Sequence, residues 1–103
     1  MDRQKFIAEV CFYSHGQSCR QTAPNLTGGC YRPHFIVKDT ADYLGVCFID
    51  GDALELGKPA QALVETLYDG VNYQTLLQPG CAFFIAEGAA IVGQGKVIGL
   101  WQE

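Results

Sequence analysis

The chain has 103 residues, 49% of them hydrophobic and 17% charged. A single hydrophobic core is still growing at that length, so one globular domain spanning residues 1–103 is expected, neither disordered nor divided. The net charge of −4 leaves no cationic surplus for neutralising phosphates, which argues against broad nucleic-acid or anionic-membrane binding.

Twelve glycines and four prolines suit short strands and frequent turns better than a helical bundle, so all-β is the expected fold class. In chain order, Phe6, Ala8, Val10 and Phe12 alternate with Ile7, Glu9, Cys11 and Tyr13, which predicts a first strand with an aromatic inner face. Residues 14–30 (SHGQSCRQTAPNLTGGC) break the alternation and read as a long polar loop, a place where function often resides. Strands are predicted at 34–38 and 45–49, the second ending in an Asp50-Gly51 turn. Residues 59–68 are two-sided. Apolar side chains at 60, 63, 64, 67 and 68 fit a helical stripe, and periodicity alone favours a helix; as a strand, Ala60, Ala62, Val64, Thr66 and Tyr68 share one face. Pro79-Gly80 marks a turn, and two β-rich segments follow around Glu87-Gly88.

Charge is uneven along the chain. Residues 1–38 carry Arg3, Lys5, Arg20, Arg32 and Lys38 against Asp2 and Glu9, a net +3. Residues 39–69 carry seven acids against Lys58, a net −6, and the remainder adds −1. Five cysteines without a C-x-x-C pair, behind a charged stretch at 1–9 that lacks a signal-peptide core, predict a reduced cytoplasmic protein. No apolar run approaches the ~18 residues of a membrane-spanning helix, so no membrane partner is expected.

No phosphate-cradling loop is present, and no nucleotide or other cofactor is expected. Gly93, Gly95 and Gly99 lack the strand-turn-helix context of a dinucleotide fingerprint and read as close strand packing or a bulge. His15, Cys19, Cys30 and His34 offer four ligands suited to tetrahedral zinc, which makes a small zinc-binding protein one alternative. They lack the tight knuckle of common zinc sites, and unrelated loop and strand residues are the competing reading. Asp50, Asp52 and Glu55 fall short of a calcium loop. Ser14-His15, Cys11 and Cys47 have nothing to position them for nucleophilic catalysis, so no enzyme is expected.

Two stretches together carry a resemblance. Tyr31-Arg32-Pro33-His34-Phe35, preceded by Ser14 and the loop from Arg20 to Pro24, resembles the Gly-Gly-Arg…Pro…Gly-Tyr-Arg-Pro-x-Phe region of the third, C-terminal domain of translation elongation factor Tu. Phe84, Ile85, Glu87, Gly88, Val92, Gly93, Gly95 and Val97 resemble the closing F-x-I-R-E-G-x-x-x-V-G-x-G-x-V signature of the same domain. Order and separation agree over residues 6–98. The resemblance implies a closed six-stranded antiparallel β-barrel, and with it a strand at 59–68. It implies a non-catalytic docking surface built from Arg20, Tyr31, Arg32, His34, Glu87 and Gly88. The family's domain meets the aminoacyl-tRNA acceptor arm, the nucleotide-exchange factor and its own GTPase domain. In this chain Ser18-Cys19 replace the glycine pair, Ala86 stands for an arginine and Ala90 lies near another lost one. Losing those charges shifts the expectation from tRNA, the alternative partner, to a protein such as a translation factor or a toxin aimed at one.

Overall fold

The computed structural model describes residues 3–14, 22–68 and 71–101. Among them are six strands and no helix: β1 (Lys5–Phe12), β2 (His34–Val37), β3 (Tyr43–Gly51), β4 (Pro59–Thr66), β5 (Ala82–Glu87) and β6 (Ala90–Leu100). The strands bond in the order β1-β4-β3-β2-β5-β6, all antiparallel, and β6 returns to β1 to close a barrel. Closure gives every strand a partner on both sides and leaves no open edge.

The period-two pattern of β1 sends Phe6, Ala8, Val10 and Phe12 inward, where they are buried, and Ile7, Glu9 and Cys11 to the outer wall. The interior is filled by Phe6, Phe12, Phe35, Phe48 and Phe83, all fully buried, with Phe35 and Phe83 stacked at 4.0 Å and 12°. Each such side chain contributes about 1.5–3 kcal/mol on burial. No buried side-chain nitrogen or oxygen among the described residues lacks a partner. Thr66, buried at the lower end of β4, accepts a hydrogen bond from the Gln4 amide at 3.0 Å.

One expectation, the closed six-stranded barrel with a strand within 59–68, is met, and another, the Asp50-Gly51 turn, changes. Residues 59–66 form a strand rather than the helix that periodicity favours. Ala62, Val64 and Thr66 point inward, while Leu63 lies opposite Ile7 on the outer wall. A strand with apolar residues on both faces imitates a helical stripe, and ladders to β1 and β3 decide between them. Asp50-Gly51 is not a turn: β3 runs through it, and the connection to β4 is residues 52–58.

Close approach of β1 and β6 depends on glycine. A Cβ on Gly95 would run into the Glu9 carbonyl oxygen and come within 2.8 Å of the Phe83 ring. Gly95, and Gly93 against the Cys11 carbonyl, are therefore packing glycines, as the strand reading expects, whereas Gly99 has open space around it.

Antiparallel order gathers Phe12, His34, Gly51, Pro59, Glu87 and Ala90 at one end of the barrel, here called the upper rim. The described part of the long polar loop, the 52–58 connection and the turn after β5 all belong to that end.

Candidate functional site: the upper rim

The rim is assembled by the segment that leads into β2. Gly28 and Gly29 turn with φ of 81° and 73°, a conformation open to glycine at little cost. Asn25 Oδ1 braces the preceding bend by accepting from the Thr27 amide at 3.0 Å and its hydroxyl at 2.8 Å. The chain then runs beside β3, with the Gly28, Phe48 and Val46 amides donating to the Ile49, Tyr31 and Pro33 carbonyls at 3.1, 3.0 and 3.1 Å, respectively.

This path sets the side chains. Tyr31 leans over the barrel mouth, stacked on Phe48 (5.4 Å, 29°) and tilted against Phe12 at 5.9 Å. Its hydroxyl donates to Glu87 Oε2 at 2.5 Å, across 56 residues of chain. Such a charge-assisted bond is about twice as strong as a neutral one, and here it ties the 31–33 segment to the end of β5. Arg32 points outward and donates from Nε to the Gly29 carbonyl at 3.0 Å. That carbonyl also receives the buried Cys47 thiol at 3.4 Å. One backbone oxygen therefore holds the exposed guanidinium against the turn.

Gly88 is exposed at the tip of the β5–β6 hairpin, with φ of 59°. A positive φ at only the first of two turn residues is the type II′ pattern that glycine favours. Glu87 and Gly88 thus lie beside Tyr31 and Arg32 on the rim.

His34 is different. It opens β2 opposite Gly45 and Ala86, half-buried on the outer wall, with its ring 5.9 Å from that of Tyr43. It lies near the Tyr31–Glu87 contact in register but faces outward. Arg20, His15 and Cys19 lie outside the described residues. Cys30 is exposed at the rim, and no group of three or more potential metal ligands occurs among the described residues. The four described cysteines are free thiols. Burial pushes the Cys81 thiol upward in pKa; burial also raises Tyr13, with the Cys11 charge a lesser cause.

Sequence reasoning missed Phe12, Phe48 and the Gly29 carbonyl as supports of the rim. The two phenylalanines were visible as inward positions of their strands, but nothing in the alternation says which inward residue closes the barrel mouth. The carbonyl has no side-chain signature. No protein-family model matches this chain.

Proposed function

We propose that this barrel is a non-catalytic protein-binding module of the kind found as the third domain of elongation factor Tu, working in the cytoplasm, with the upper rim as its docking face. The observation that carries the reading is the 2.5 Å bond from Tyr31 to Glu87, with the Tyr31 ring stacked on Phe48 and tilted against Phe12. It joins the two stretches that carry the resemblance and braces the rim beside an outward guanidinium at Arg32. A braced rim loses little freedom when a partner docks, which favours binding. Among its described residues the rim offers an exposed arginine, a lysine already paired with Glu55 and an aromatic shoulder, which suits a protein surface better than a phosphate backbone.

The test is capture by the immobilised protein of the purified nucleotide-exchange factor of elongation factor Tu, with aminoacyl-tRNA in a parallel arm. The expected result is saturable capture of the protein, weakened about tenfold by Arg32→Ala with unchanged circular dichroism. Saturable tRNA binding that falls steeply with salt and on Arg32→Ala would favour the RNA reading instead. Absence of capture of the exchange factor, and of toxins directed at the elongation factor, would remove the protein-docking proposal.

A further inference from the structure

A second surface lies on the outer wall and reaches the rim only at Gly51 and Asp52, with none of Tyr31, Arg32, Glu87 or Gly88 in its lining. Between Phe48 and Asp50 the pairing of β3 with β4 slips by one residue, so that Phe48 faces Val64 and Asp50 faces Leu63. Such a bulge re-aims the side chains that follow it. Residues directly opposite in antiparallel strands share a face, and Leu63 faces Ile7, which faces Gly99. The bulge therefore continues an outer row across four strands: Asp50, Leu63, Ile7, Gly99.

Along this row runs an open groove of about 230 Å³. Ile7 and Leu63 give it an apolar lining, Trp101 is a further wall, and Asp50, Asp52 and Gln61 supply polar groups. Trp101 is positioned by its amide, which donates to the Lys5 carbonyl at 2.9 Å, and the residue is 45% exposed. Asp50 Oδ1 accepts from the Gly51 amide at 2.9 Å and Asp52 Oδ2 from the Gln61 amide at 3.2 Å, which fixes both carboxylates.

Neither carboxylate has a cation among the described residues, and no lysine or arginine lines the groove. Lys58 pairs with Glu55 at 3.0 Å, and Arg3 with Glu65 at 3.6 Å. The groove thus combines an exposed tryptophan, an aliphatic lining and two positioned negative charges. It is smaller than the ~300–1,000 Å³ clefts that hold cofactors or drug-sized ligands, and matches a single long side chain.

We infer that this groove receives an arginine side chain of a partner protein. The aliphatic stem lies over Ile7 and Leu63, the guanidinium plane meets Trp101, and its N–H fork meets Asp50 and Asp52. Lysine has neither the plane nor the fork, so arginine is the better occupant.

Trp101 is the chain's single tryptophan, so its fluorescence reports on the groove in the full chain. The probe is acetyl-Ala-Val-Arg-Val-Ala-amide, compared with its citrulline analogue, which keeps the shape and loses the charge. A saturable fluorescence change is expected with the arginine peptide, weakened about tenfold by citrulline or by Asp50→Asn. Asparagine at 50 keeps an acceptor for the Gly51 amide, and circular dichroism checks that the fold persists. The citrulline comparison needs no variant at all. No saturable change up to about 10 mM peptide, a range that covers weak contacts, would overturn the inference. Equal binding of the citrulline peptide would overturn it too, by making the groove merely apolar. So would self-association that alters the fluorescence without peptide.

Discussion

Gly95 and Gly99 lie on the same strand, yet alanine at the two positions should move stability in opposite directions. At 95 the new Cβ would meet the Glu9 carbonyl oxygen inside contact distance, with the Phe83 ring atoms at 2.8 and 3.0 Å. Glu9 cannot retreat, because it is laddered to Gln61 on one side and Lys96 on the other. Phe83 cannot turn away, because it is fully buried and stacked on Phe35 at 4.0 Å. Overpacking costs about 1–3 kcal/mol, and with two fixed obstacles Gly95→Ala belongs at the upper end. For a domain of this size that is a fall in Tm of about 8–20 °C. At 99 nothing lies within 4 Å of the added carbon and the backbone is not left-handed. There the reduced freedom of the unfolded chain dominates, and Gly99→Ala should gain about 0.4–1 kcal/mol. Thermal unfolding followed by far-ultraviolet circular dichroism, with urea midpoints as a second measure, reads both. The reasoning fails if Gly95→Ala melts within about 2 °C of the parent, or if both variants shift the same way.

Tyr31→Phe keeps the ring on Phe48 but deletes the donor to Glu87, and should cost about 1.5–3 kcal/mol, as for other bonds to charged groups. A double-mutant cycle with Glu87→Gln in urea should show a coupling of about 0.5 kcal/mol or more; simple additivity would mean the bond is not formed in solution. Among the described cysteines, exposed Cys30 should react first with a thiol reagent and buried Cys47 last, resolved by peptide mass mapping. Cys81 should be alkylated with a pH midpoint above that of an ordinary cysteine, because burial disfavours its thiolate. The sign is that of a raised acid: the folded state holds the proton longer, so stability is unaffected below the unfolded cysteine's pKa and falls as pH rises through the interval above it. A Cys81 midpoint at or below that of an unfolded peptide would contradict this.

The strands at 5–12, 34–37, 82–87 and 90–100 were legible because each has a strict inside–outside alternation or a β-rich run bounded by turn residues. β4 was not legible from periodicity, because its outer residue Leu63 is also apolar and, with Ala60 and Val64 of the inner face, completes a helical stripe. Only its partners on both sides resolve it. Asp50-Gly51 misled for a related reason. Its Asp-Gly pair is a turn signature locally, but β4 offers Leu63 and Ala62 as ladder partners and the strand continues through a bulge. The rim was partly legible. Tyr31, Arg32, Glu87 and Gly88 come together, whereas His34 follows the alternation of β2 to the outer wall, a parity the motif does not reveal. The outer groove was invisible, because its row is set by the register of four strands and a one-residue slip.

The strand order has a temporal consequence. β1 is made first, yet both of its neighbours, β4 and β6, come much later in the chain, and its ladder with β6 uses residues up to Leu100. Local pairing can form early between β2 and β3, β3 and β4, and β5 and β6, each adjacent in sequence. The seam cannot. Until the last strand emerges from the ribosome, the apolar face of β1, with Phe6, Val10 and Phe12, has no complete pair of neighbours. Such non-local closure places folding in the slower, millisecond-to-second class of β topologies. The nascent chain therefore spends its synthesis with its first strand as its most association-prone segment, and the final residues of β6 act as the latch that withdraws it.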